Sequence, residues 1–147
     1  MIHCLSCRIL SFVVLLCLSG VGSSGLKAQE SSSAGPANLA VLWTSGDSDV
    51  AHRVAFLYTL NAKKQSWFDE VTLIVWGPSQ RLLAADSSIQ DYVKEMQAAG
   101  VVVEACINCS EAYGITETIK ALGIEVKPMG SPLSDYLKHP NWATISF

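Results

Sequence analysis

The stretch Val101–Gly114, VVVEACINCSEAYG, decides how the rest of the chain is read. It opens on a run of valines. A short, nearly continuous apolar run fits a strand buried on both faces, here Val101–Ala105. The character changes at Cys106. Asn108 is a favourable helix N-cap and Glu111 follows three residues later, the pattern of a capping box. The sequence therefore predicts a strand that hands over directly to a helix, with Cys106 and Cys109 flanking the helix start.

The same alternation extends in both directions. Asn38–Ser45 (NLAVLWTS) is a second apolar run, closed by a turn at Ser45-Gly46-Asp47. From Asp49 to Lys63 apolar residues recur at helical spacing, with Val50, Val54, Leu57, Tyr58 and Asn61 as the expected stripe. Val71–Trp76 forms a further buried strand, stopped by Gly77-Pro78, with a short helical piece around Gln80–Ala85. A clearer helix spans Ser87–Ala99, capped by Ser87 or Ser88, striped by Ile89, Tyr92, Val93 and Met96, and stopped by Gly100. Downstream come a helix closed by Gly123, a short strand at Ile124–Val126, a helix with Ser131 as cap and Pro132 at its first position, and a last strand in WATISF. Strands alternating with helices argue for a mainly parallel sheet of about five strands with helices on both faces. In that α/β architecture ligands bind at the carboxyl ends of the strands. Three loops are expected to meet there: Thr44, Ser45, Gly46 and Asp47; Trp76, Gly77, Pro78 and Ser79; and the segment that opens at Cys106.

The first residues read differently. Ile9–Leu18 is an apolar run of ten, preceded by Arg8 and followed by small residues. That is the layout of a secretory signal peptide, too short to span a bilayer comfortably. Residues 1–28 are expected to be a signal peptide, 29–38 a flexible leader and 39–147 one folded domain. The protein is thus expected to be exported, to a periplasm or outside the cell, with no membrane span once the signal is removed. All 13 acidic residues and eight of the ten basic ones lie beyond Ala28, a net charge of −5 without a basic patch. Nucleic acid is therefore not an expected partner. Three of the five cysteines, Cys4, Cys7 and Cys17, fall in the signal, which leaves Cys106 and Cys109 in the domain. Two cysteines do not make a disulfide scaffold.

A C-x-x-C pair at a helix start suits thiol chemistry. The free N–H groups there favour a thiolate, the reactive form in disulfide exchange and in accepting a sulfur atom. The same pair also fits a bland role, since free cysteine often fills apolar space. Zinc needs more ligands than His52 and His139 add at their spacing, so no metal site and no cofactor are expected. His52 could face the strand ends, although a lone helical histidine usually serves the surface or the core. Trp43 and Trp76 each end a strand, as core or as pocket lining. Thr44, Ser45 and Gly46 could hold an anion.

The segments CINCSEAYGI, LGIEVKPMGSPLSDYL, the terminal ATISF, and VTLIVWGPSQRLLA resemble the DsrE/DsrF-like family of small sulfur-relay proteins. The resemblance spans roughly residues 39–147. It implies a flavodoxin-like three-layer fold and assembly into homotrimers or hexamers. It also implies one cysteine after the third strand that accepts and passes on persulfide sulfur, eight residues before a glycine. Cys106 stands eight residues before Gly114 and matches that position; Cys109 matches a second cysteine found in part of the family. The expected function is sulfur carriage, with Cys106 attacking a persulfide or polysulfide and Cys109 resolving it, between donor and acceptor proteins that the sequence does not identify. Two alternatives stand beside it: a non-catalytic oligomeric binding module with structural cysteines, and a thiol-disulfide oxidoreductase.

Overall fold

Five apolar segments do form strands, and they lie side by side. In the computed structural model the described residues are 35–147; the expected signal peptide over 1–28, its cysteines, and residues 29–34 of the leader lie outside them. The strands are β1 (Asn38–Trp43), β2 (Glu70–Val75), β3 (Val102–Cys106), β4 (Glu125–Lys127) and β5 (Trp142–Ser146). They make one sheet in the order β4-β3-β2-β1-β5, and every pairing is parallel. Each strand needs a crossover to reach a parallel neighbour, and the helices supply it.

The order explains the layers. The chain steps one way from β1 to β4, then reverses past β1 to reach β5. Right-handed crossovers place helices on opposite faces when the direction reverses. The first face is covered by α2 (Phe56–Lys64), α3 (Pro78–Ala85), α4 (Ser87–Ala98) and α6 (Thr116–Ala121). Phe56, Leu60, Leu83, Ile89, Val93, Met96 and Ile119 meet Val41, Leu73, Val75 and Val103 there in the larger core. The second face is covered by α7 (Gly130–Lys138), whose Leu133 and Tyr136 pack with Trp142 near Ala40, Ile74, Cys106 and Met129. This is the three-layer α/β arrangement of flavodoxin-like proteins. Burying each large apolar side chain in these clusters stabilises the fold by roughly 1.5–3 kcal/mol.

One stripe lies elsewhere than its spacing suggests. The helix after β1 is interrupted: α1 (Ser48–Val50) runs into a π-helical turn at Ala51–Ala55 before α2. A π turn inserts an extra residue and shifts the phase of the residues that follow. Val54 and Leu57 consequently stand 43% and 49% exposed, while Ala51, Ala55, Phe56, Thr59 and Leu60 are buried. Together with Arg53, Tyr58, Asn61 and Trp67, the two exposed residues line a surface groove of about 330 Å³.

Three helix starts also differ. Helix α4 is capped by Asp86, whose carboxylate accepts from the Ser88 and Ile89 amides, not by Ser87 or Ser88. Helix α7 begins at Gly130, which leaves Pro132 inside the first turn, where its missing N–H costs nothing. Helix α5 (Ile107–Ala112) begins directly after β3, with Cys106 itself at the N-cap.

Candidate functional site

The C-x-x-C spacing acquires its geometry from that last difference. Asn108 does not cap α5; it is exposed, as is Glu111. Cys106 is the N-cap, in extended conformation with φ −76° and ψ 117°, and Cys109 is the third helical residue. Side chains at these two positions meet, which is why a capping box can close between them. Here both are thiols. They lie side by side as free cysteines in the small cluster on the second face. Cys106 is 3% exposed and clusters with Ile74 and Met129, whereas Cys109 is half-buried and, like Trp76, packs against the edge of that cluster.

The backbone around the pair is fastened by Ser79, the last residue of the second expected loop, and by Gln80, which sequence reasoning did not single out. Ser79 Oγ donates to the Trp43 carbonyl at 2.7 Å and accepts from the Trp76 amide at 3.1 Å, tying the ends of β1 and β2. Gln80 is fully buried, and its Nε2 donates to the carbonyls of Val75 at 3.0 Å and Cys106 at 2.9 Å, tying β2 to β3. The signal for Gln80 was weak: a polar residue just after Gly77-Pro78-Ser79, a position where polar residues ordinarily face water.

The three expected loops do meet, though they do unequal things. Gly77 adopts φ 72° and ψ −135°, a conformation open essentially to glycine alone. Its amide faces Cys109 and favours the thiolate. Burial nonetheless pushes the Cys109 thiol above its ordinary range, and the neighbouring Cys106 thiol adds to the rise. At Cys109 burial is the larger of these opposing effects. A β-carbon on Gly46 would stand 3.4 Å from that of Pro78, so the first loop lies against the second. Thr44 and Ser45, however, spend their groups internally. The Thr44 hydroxyl and both amides donate to the Phe147 carbonyl, and Ser45 Oγ accepts from the Asp47 amide.

Trp43 and Trp76 separate. Trp43 is core, edge-on to Phe56 at 4.7 Å, while Trp76 is half-buried beside the thiols. His52 is not brought to the cysteines; its Nε2 lies 3.2 Å from Ser88 Oγ, and its ring stands 5.7 Å from Tyr92. His139 is exposed and accepts from the Asn141 amide.

A charged cluster borders the site. Cys106 pairs in register with Lys127, and Glu104 projects from the same face of β3 two residues earlier. Lys127 Nζ donates to Glu104 at 2.7 Å and to Glu125 at 2.9 Å. The Glu104 hydrogen bond holds the lysine above its usual pKa. Burial raises the Tyr136 phenol, whose hydroxyl lies 3.4 Å from the other Glu104 oxygen. Among the described residues no group of three His, Cys, Asp or Glu side chains is placed to hold a metal ion.

A conserved protein of unknown function, BT1422, from Bacteroides thetaiotaomicron is similar in structure, with a TM-score of 0.72 and 36% identity over 76% of this chain and 95% of that one. A protein of unknown function, MTH1491, from Methanobacterium thermoautotrophicum matches with a TM-score of 0.58 over 75% and 98% of the two chains; at 19% identity that likeness concerns the fold alone. No family model matches the chain, and no curated protein does.

Proposed function

The chain belongs to the family of the conserved Bacteroides thetaiotaomicron protein, and from the chemistry of its own site we propose that it is a sulfur carrier of the DsrE/DsrF-like kind. It would hold sulfane sulfur as a persulfide on the thiol pair at the end of β3. The observation that carries this reading is the pair itself: two free thiols, adjacent, at the carboxyl end of a parallel sheet, one buried and one reachable from solvent. A persulfide forms when a thiolate attacks a sulfane sulfur and displaces a thiol, and a second thiol at contact distance can then take up or release that sulfur. Apolar surroundings from Ile74, Trp76 and Met129 would shield the product from water-borne reductants.

The resemblance adds assembly into homotrimers or hexamers to the proposal, and the signal-peptide layout of residues 1–28 adds work outside the cytosol. No helix among the described residues is long and apolar enough to cross a membrane.

A second reading draws on the burial of Cys106. A thiol this enclosed in an apolar cluster can be filler, and the protein would then be a binding module with structural cysteines. One experiment separates the two. The wild-type domain and a Cys106→Ser/Cys109→Ser variant are incubated with polysulfide, freed of excess, and assayed for sulfane sulfur by cyanolysis. Sulfur carriage gives about one equivalent in the wild type and none in the variant. Equal, near-zero values in both leave the structural reading.

A further inference from the structure

We infer that Cys109 is the thiol that attacks the external sulfur donor, and that Cys106 is an inner thiol that receives the sulfane sulfur from it. This rests on the sulfur-carrier reading and assigns the order of events within the pair. It departs from an assignment in which the strand-end cysteine meets the donor first.

The argument is one of access. The attacking atom must come in line with the donor's S–S bond, so the donor must reach it. Cys106 is 3% exposed, in the cluster with Ile74 and Met129 on the second face of the sheet. Its carbonyl is held from below by the buried Gln80, and its backbone is the last residue of a paired strand. Cys109 stands three residues further on, half-buried at the edge of the same cluster, with the Gly77 amide facing it. An approaching persulfide meets Cys109 before it can meet Cys106. The Gly77 amide faces Cys109, where it favours negative charge on the sulfur.

The chemistry balances without an added oxidant or reductant. The Cys109 thiol loses its proton, and its sulfur attacks the outer sulfur of a donor R–S–SH. A new S–S bond forms on Cys109, the donor S–S bond breaks, and R–S⁻ leaves with the electron pair and takes up the proton as R–SH. In the second step Cys106 attacks the outer sulfur of the Cys109 persulfide. An S–S bond forms on Cys106, the one on Cys109 breaks, and Cys109 returns as a thiol. The N-cap and third-position geometry of α5 brings the two sulfurs together for this step. The outcome is a persulfide stored below the surface and an outer thiol free again.

Single variants Cys106→Ser and Cys109→Ser, with Cys109→Ala as a second outer-thiol variant, are loaded with polysulfide under matched conditions. Persulfides are trapped with an alkylating agent and located by peptide mass mapping, and circular dichroism confirms that each variant is folded. The inference expects sulfur on Cys106 in the wild type and on Cys109 in Cys106→Ser. It expects loading slowed by at least about tenfold in both Cys109 variants, as befits an occluded thiol. Loading of Cys109→Ser at the wild-type rate, or no loading of Cys106→Ser, would overturn the order. Sulfur that stays on Cys109 in the wild type would overturn the inner-thiol role. Absence of loading in every protein, wild type included, would instead defeat the carrier reading on which the inference rests.

Discussion

Gln80 is the residue whose replacement most directly tests how the site is held. Its Nε2 serves two buried carbonyls, on Val75 at the end of β2 and on Cys106 at the end of β3. Replacing it with methionine keeps the volume and removes the donor. Each carbonyl left without that partner costs roughly 1–3 kcal/mol, more than the net worth of an ordinary hydrogen bond. Against this, the buried Gln80 Oε1 has no partner among the described residues, and its removal returns about 1 kcal/mol. The balance for Gln80→Met is a loss of about 1–5 kcal/mol. For a domain of this size that lowers Tm by roughly 4–20 °C. Thermal unfolding followed by circular dichroism reads it. The end of β3 should loosen locally as well, so that Cys106 alkylates faster in the native variant than in the wild type. A variant within about 0.5 kcal/mol of wild type, with unchanged Cys106 protection, would refute the claim that Gln80 clamps the strand ends.

Other consequences follow from the same structure. Gly77→Ala meets no atom within 4 Å, so its cost is backbone strain, about 1–3 kcal/mol in chemical denaturation, and sulfur loading should slow with it. Lys127→Met leaves the nearly buried Glu104 carboxylate without its cation; because the lysine is partly exposed, the cost is roughly 2–3 kcal/mol, below that of a fully buried pair. The folded state raises the Lys127 pKa, so this contribution is whole below the ordinary lysine value of 10.5 and fades as pH rises through the higher folded value; urea midpoints of wild type and Lys127→Met should converge only in that alkaline range. On α2, Leu57→Glu should change stability by less than about 0.5 kcal/mol, whereas Phe56→Ala should cost about 3–5 kcal/mol; the reverse ranking would show that the π turn does not set the helix phase. Since burial raises the Cys109 pKa, its alkylation rate should climb with pH past the ordinary thiol value of 9.0, and a plateau near neutrality would contradict the desolvation argument.

Particular residues show why some of this was legible in the sequence and some was not. The apolar runs at Leu39–Trp43, Val71–Val75 and Val101–Ala105 read as buried strands because parallel strands covered on both faces carry no polar alternation. Helix α4 read well because Ile89, Val93 and Met96 keep an unbroken helical period. The helix after β1 misled because a periodic reading assumes an uninterrupted ladder, and the π turn at Ala51–Ala55 breaks it without leaving a Gly or Pro as warning. The meeting of the three strand-end loops followed from topology alone. The start of α5 did not: Asn108 had the better capping side chain, but the end of β3 and its pairing to Lys127 fixed Cys106 at the N-cap instead. Nor was it legible that Thr44 and Ser45 bond to Phe147, or that Gln80 reaches Cys106, since these contacts join residues 26 to 103 positions apart.

Central to the account is that the thiol pair carries sulfane sulfur. The most direct measurement is the intact mass of the wild-type domain and of Cys106→Ser/Cys109→Ser, taken before polysulfide, after it, and after a following reductant. The account predicts that the wild type gains one or more sulfur atoms, that the reductant removes them, and that the double variant never gains any. A wild type whose mass does not change, with both thiols titrating only after unfolding, would contradict it.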